Sequence, residues 1–155
     1  MAPPKIFVSH SSKDIAFAER LVADLNEAGA DAWLDTTELG AGNFQQRISE
    51  ALGQCEWFVL VLTRSALQSP WVRQEVDAAN ALKHSGQIRD LIFVRAEPVE
   101  HRDVPALWRV YNMFDATHNY EDACDRALLA VGLRPNRMRD QVFVAEGPKV
   151  SSSEL

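Results

Sequence analysis

The stretch Trp57-Phe58-Val59-Leu60-Val61-Leu62, followed at once by Thr63-Arg64-Ser65-Ala66-Leu67-Gln68-Ser69-Pro70-Trp71-Val72-Arg73-Gln74-Glu75, decides how this chain is read. An unbroken apolar run rich in β-branched and aromatic residues is the pattern of a strand buried on both faces. Ser69 then Pro70 marks a helix start: the serine hydroxyl can accept from a first-turn N–H, and proline suits the first helical position. Trp71 and Glu75 are four apart, so they share one side of the new helix. The loop before that helix lies at the carboxyl end of a strand, where open α/β sheets bind ligands. A carboxylate in the second helical turn, beside an indole, is well placed to meet one.

Working outward, strand and helix signals alternate. Lys5-Ile6-Phe7-Val8-Ser9 reads as a strand. Ser11 or Ser12 caps a helix with Ala18, Leu21, Val22, Leu25 and Ala28 on its apolar stripe, closed by Gly29. Ala32-Trp33-Leu34 is a second strand ending at Asp35, and a loop from Thr36 to Asn43 follows. Asn43 caps a helix that lines up Phe44, Ile48, Ala51, Leu52 and Cys55. The helix opening at Pro70 runs to about His84, with Val72, Val76 and Ala79 inward and Gly86 beyond its end. Leu91-Ile92-Phe93-Val94 is a fourth strand. An irregular stretch, Arg95 to Arg109, holds a short helix near Ala106-Leu107-Trp108, and Tyr111-Asn112-Met113-Phe114 is a fifth strand. Asn119 caps a last helix with Tyr120, Cys124, Ala127, Leu128 and Val131 inward and Gly132 after it.

Apolar strands separated by amphipathic helices predict a parallel sheet covered on both faces. The expected fold is α/β, a flavodoxin-like three-layer sandwich with a five-stranded parallel sheet of order 2-1-3-4-5. The pattern spans residues 1–133 and fails beyond them. Residues 134–155 carry Arg134, Arg137 and Arg139, then Gly147-Pro148 and Ser151-Ser152-Ser153. They read as a tail, or as a linker to a missing sensor or partner domain. Within them Gln141-Val142-Phe143-Val144 is either a strand or a docking segment.

The composition is that of an ordinary globular domain: 155 residues, 46% hydrophobic and 25% charged, enough to build a core. A net charge of −6 argues against direct nucleic-acid binding, which calls for a basic stripe. No apolar run is long enough to span a membrane, and Met1-Ala2-Pro3-Pro4-Lys5 lacks a signal-peptide pattern. Cys55 and Cys124 fall on apolar helix faces as buried free thiols, consistent with a cytoplasmic location. The histidines His10, His84, His101 and His118 show no metal-ligand spacing, so no metal is expected.

Several chemistries are excluded by what stands at the strand ends. A receiver domain needs an acidic pair after the first strand and an acceptor aspartate after the third; here those places hold Ser9-His10 and Leu62-Thr63-Arg64. A dinucleotide fingerprint G-x-G-x-x-G is absent between the first strand and helix, where Ser9-His10-Ser11-Ser12-Lys13-Asp14 stands instead. There is no P-loop and no G-x-S-x-G elbow. Ser9 or Ser11 with His10 makes a poor nucleophilic pair, because adjacent strand residues point to opposite faces.

Three boxes carry a resemblance. Phe7-Val8-Ser9-His10-Ser11-Ser12-Lys13-Asp14 resembles the first box of TIR (Toll/interleukin-1 receptor homology) domains in their bacterial form. Trp33-Leu34-Asp35 through Leu39-Gly40-Ala41-Gly42-Asn43-Phe44 resembles the second box and its BB loop. Phe58 to Ser65, then Ser69-Pro70-Trp71-Val72-Arg73-Gln74-Glu75, resembles the third strand and the helix that follows. The likeness covers Lys5 to about Leu133.

In that family some members only assemble, as adaptors, and others cleave NAD⁺ at the nicotinamide–ribose bond with a glutamate that Glu75 matches. The W-x-x-x-E pattern, commonly lacking in the animal adaptors, is present here. The resemblance therefore implies an NADase or ADP-ribosyl cyclase, with NAD⁺ as substrate and no cofactor. It also implies a role in antiviral defence of a bacterial cell, with activation when TIR domains assemble with one another or through a sensor. A pure adaptor, or a virulence effector mimicking host TIR signalling, is the alternative. Around Glu75, the residues expected to face substrate are Phe7, Ser9, His10, Ser11, Trp33, Asp35, Leu39 and Trp71. Of these, Phe7, Trp33 and Trp71 read equally as core, and His10 as a cap partner. Gly40, Gly42 and Phe44 belong to the loop that docks on a neighbouring domain. Lys13 and Arg64 are either phosphate contacts or solvated charges. One animal NADase type has arginines where this chain has Ser11 and Ser12, so phosphate contacts there are not carried over.

Overall fold

The computed structural model describes residues 2–34 and 44–135, with the backbone alone for 44–47. In chain order the elements are β1 (Lys5–Ser9), α1 (Ile15–Glu27), β2 (Asp31–Leu34), α2 (Phe44–Leu52), β3 (Trp57–Leu62), α3 (Arg64–Gln68), α4 (Pro70–Ser85), β4 (Asp90–Arg95), β5 (Asn112–Asp115) and α5 (Tyr120–Ala130). The strands form one sheet in the order β2-β1-β3-β4-β5, every pair parallel, which is the topology read from the sequence.

Alternation along each strand splits the core in two. Phe7, Phe58, Leu60, Leu62, Leu91 and Phe93 face α2 and α4, packing with Leu52, Val72, Val76 and Ala79. Ile6, Val8, Val59, Val61, Ile92 and Val94 face α1 and α5, packing with Leu21, Leu25, Ala127 and Leu128. Because both faces are covered, the central strands need no polar side, and this is why β3 reads as an unbroken apolar run. Burying a single phenylalanine or leucine in this way stabilises by about 1.5–3 kcal/mol.

The helix boundaries follow local chemistry. Ser69 Oγ accepts from Val72 N at 3.2 Å and Asn119 Oδ1 from Asp122 N at 3.0 Å, so these two of the predicted caps are in place. Four expectations are corrected. Ser11 caps a separate 3-10 turn, Ser12–Asp14, and α1 begins only after Asp14. The segment after β3 is helical almost at once: Thr63 Oγ1 accepts from Ala66 N at 3.0 Å and starts α3. The proline at the start of α4, with Ser69 extended before it, then separates the two helices. The short helix expected near Ala106 is a 3-10 turn, Ala106–Val110. β5 starts at Asn112 rather than Tyr111, whose ring packs on Phe93 and whose hydroxyl donates to Asn80 Oδ1.

Both cysteines are free and buried. Loss of solvation pushes the Cys55 thiol up to about 12 and the Cys124 thiol up to about 11, so both stay protonated at neutral pH. Among the described residues no helix is long and apolar enough to cross a membrane. Residues 35–43, which hold the predicted loop, and residues 136–155 of the segment 134–155 read as a tail lie outside the described residues.

Gly86 ends α4 at φ 92°, and nothing lies within 4 Å of where a Cβ would stand. The cost of a side chain there is therefore backbone strain alone. Gly86→Ala should lower the unfolding free energy by about 1 kcal/mol, and Gly86→Asn by less. Urea denaturation checks this; an unshifted midpoint for the alanine variant would contradict it.

Candidate active site

Parallel pairing puts the carboxyl ends of all five strands on one edge of the sheet. Ser9 closes β1 there, two residues past Phe7, so its side chain lies on the face that α4 covers. The inward stripe of α4 is Trp71, Val72, Glu75, Val76 and Ala79. Four of these are what a buried helix face requires. Glu75 is a carboxylate in the same stripe, and only 1% of it is exposed. An ionisable group placed in an apolar face costs several kcal/mol unless it is hydrogen-bonded, which makes such a position a mark of function.

One bond that Glu75 makes is to β1: Ser9 Oγ donates to Glu75 Oε1 at 2.6 Å, between residues 66 apart in the chain. Among the described residues the buried polar or charged ones are Ser9, His10, Ser11, Thr63 and Glu75. All of them lie at or just past the ends of β1 and β3 or on the helix beside them. Polar burial is thus confined to one end of the sheet.

The surrounding loops are tied to one another. Thr63 Oγ1 donates to Asp14 Oδ2 at 2.6 Å, joining the segment after β3 to the segment after β1. Arg64 N donates to Glu97 Oε2 at 2.9 Å, joining it to the segment after β4. Ser11 Oγ accepts from Lys13 N at 3.2 Å. Arg73, on the outer side of α4, donates from Nε to Leu67 O at 2.7 Å and lies over the Trp108 ring.

The predicted site residues fall into distinct positions. Ser9 is in direct contact with Glu75, and His10 and Ser11 are buried just beyond it. Phe7 is wholly buried, edge-on to Trp33 at 6.2 Å and stacked with Phe58 at 5.8 Å. Trp71 belongs to the same core, and Trp33 is half-buried against it. Lys13 and Arg64 are exposed. Asp35, Leu39, Gly40 and Gly42 lie outside the described residues, as does the side chain of Phe44. A groove of about 510 Å³ runs between α2 and α4, lined by Ile48, Ser49, Gln74, Asp77 and Ala78, and Glu75 is not part of its lining. The Asp14–Thr63 tie and the Ser9–Glu75 bond were not read from the sequence. Thr63 three residues before Ala66 was a visible capping signal; the pairings carried none.

At the far end of this edge, Arg95 Nη2 donates to Asp115 Oδ2 at 2.9 Å. Asp115 also accepts from the hydroxyl and backbone N–H of Thr117. These bonds, those of Thr117 first and then that of Arg95, hold the Asp115 carboxyl at about 2, below its ordinary 3.8. A depressed folded-state value means the stabilisation is fully present above 3.8 and is lost as pH falls towards 2. Asp115→Asn should therefore be less stable than wild type at neutral pH, with the difference shrinking across that acid window. Denaturant midpoints at several pH values test this; a constant difference would refute it.

Residues 6–129 match the family model described as TIR domain, and the chain belongs to that family. It is 37% identical over 93 residues to the "NAD(+) hydrolase PdTIR" of Paracoccus denitrificans, a match covering 58% of this chain and 31% of that protein. It is 32% identical over 87 residues to the "Probable 2' cyclic ADP-D-ribose synthase TcpB" of Brucella melitensis biotype 1, covering 55% of this chain and 35% of that protein. The matched segments thus span about a third of the length of these two relatives. Among solved structures, the TIR domain of the Toll-related Receptor TRR-2 from Hydra magnipapillata superposes with a TM-score of 0.62 at 16% identity, covering 81% of this chain and 94% of that one. That likeness bears on the fold alone.

Proposed function

We propose that this TIR-family chain cleaves NAD⁺ at the nicotinamide–ribose bond, with Glu75 as the catalytic carboxylate. The observation that carries this reading is the buried glutamate on the inward stripe of α4, at the ligand-binding end of the sheet. The relatives named as an NAD(+) hydrolase and a cyclic ADP-D-ribose synthase support it.

The chemistry asks little of the protein beyond one negative charge. When the C1′–N bond breaks, its electron pair leaves with nicotinamide, which departs neutral and needs no acid. The positive charge develops on the ribose, as in other glycoside cleavage. A carboxylate lowers that barrier by accepting hydrogen bonds from the ribose hydroxyls and by its charge beside the forming cation. Capture of the cation by water, with loss of a proton, yields ADP-ribose; capture by a hydroxyl of the same molecule yields a cyclic isomer. Glu75→Gln keeps an acceptor for Ser9 and removes the charge. It should cut nicotinamide release ~10²-fold or more while leaving the melting temperature nearly unchanged. Wild-type turnover in that variant would end the assignment, and chromatography of the products separates hydrolase from cyclase.

In the arrangement described, Glu75 is covered, so substrate reaches it only after the site opens. We propose that assembly with other TIR domains, through a sensor domain or partner protein, supplies the open form in a defence response in the bacterial cytoplasm. Specific activity should then rise with protein concentration, because linking domains raises their effective concentration without new contacts. Specific activity that is flat over a thousandfold dilution series would show instead that one domain suffices. The same burial favours a second reading, a non-catalytic interaction module in which Glu75 only ties α4 to β1. That reading holds if concentrated protein binds another TIR domain yet releases no nicotinamide.

A further inference from the structure

We propose that Ser9 is a positioning residue for Glu75: its hydroxyl fixes the orientation of the carboxylate and acts on the reaction through it. This rests on the catalytic reading of Glu75 above.

The geometry on both sides of the bond is unequal. Ser9 is the last residue of β1, a strand held between β2 and β3, with its Cα in register with Leu60. Its hydroxyl therefore stands on backbone that the sheet holds in place. Glu75 reaches the same point on a side chain with three rotatable bonds, whose freedom must be lost for the carboxylate to meet a reacting atom in one orientation. At 2.6 Å the contact lies at the short end for a hydroxyl donating to a carboxylate, and both residues are 1% exposed, so water does not compete for it. Catalytic groups perform when packing and hydrogen bonds lock them in this way.

The same bond limits what else Ser9 can do. A serine hydroxyl has one proton. While that proton is shared with Glu75 Oε1, Ser9 has none to give to a phosphate oxygen, which only accepts. Its effect on NAD⁺ cleavage therefore runs through Glu75 and not through the pyrophosphate.

The test uses the whole chain at a concentration where wild type is active. Ser9→Ala removes the hydroxyl, and Ser9→Cys keeps the shape while weakening the donor. Each should lower kcat ~10- to 100-fold with KM for NAD⁺ within about threefold of wild type, since only the transition-state contact is loosened. On a Glu75→Gln background, where substrate is not consumed, adding Ser9→Ala should leave calorimetric NAD⁺ binding unchanged. A raised KM with intact kcat, or weakened NAD⁺ binding in the double variant, would show that Ser9 touches substrate directly and overturn the role. So would unchanged turnover, and so would increased turnover, which would mean that the bond restrains the carboxylate rather than aiming it. If Ser9→Ala does not fold, Ser9→Cys carries the comparison, because its volume preserves the packing. Wild type that releases no nicotinamide at any concentration removes the proposed activity and this role with it. An active wild type with unaffected Ser9 variants removes the positioning role alone.

Discussion

Every strand pair in this sheet is parallel, and that one constraint places the chemistry. Parallel neighbours need a crossover between them, so each strand delivers its carboxyl end to the same edge and each helix returns the chain across a face. Ser9, Thr63, Arg95 and Asp115 come from different strands or from the residues just after them, yet all meet that edge. α4 leaves from it as well, through α3 and the Ser69–Pro70 start, and so carries Glu75 to the end of β1.

The two faces of the sheet are not equivalent. On the α1 and α5 side, the strand residues from Ile6 to Val94 meet an apolar surface throughout. The α2 and α4 side holds the aromatic cluster of Phe7, Phe58, Phe93 and Trp108, and its carboxyl end carries the Ser9–Glu75 pair. A buried carboxylate costs stability that an apolar residue in the same stripe would not. The aromatic packing beneath it supplies a rigid floor: Trp71, one turn before Glu75, is part of that core rather than exposed beside it. Along α4, then, most of the stripe holds the helix down, and one position, Glu75, is the proposed catalytic one.

Much of this was legible in one dimension. The apolar run of β3 could only be a strand covered on both sides, and Ser69-Pro70 could hardly be anything but a helix start, since each signal depends on groups within a few residues of one another. The W-x-x-x-E spacing pointed to Glu75 for the same reason. The start of α1 and the presence of α3 were misread where a hydroxyl had several short-range options: Ser11 caps a 3-10 turn, and Thr63 caps a helix only five residues long. Near helix ends, alternatives differ by a single hydrogen bond, and sequence pattern ranks them poorly.

The alternation of strands and helices, the inward faces of α1, α4 and α5 and the identity of Glu75 as an unusual residue were legible in the sequence alone, because periodicity and capping are local properties. Which groups Glu75 and Thr63 meet was decided by the tertiary structure. Ser9 and Asp14 lie 66 and 49 residues away from them, and the box that contains both carries no signal of which partner each one meets. The sheet brings them within 2.6 Å of their partners only once the crossovers have closed. Long-range pairing of polar side chains depends on where the whole backbone goes, and that is set by the packing of the two cores rather than by the residues that pair.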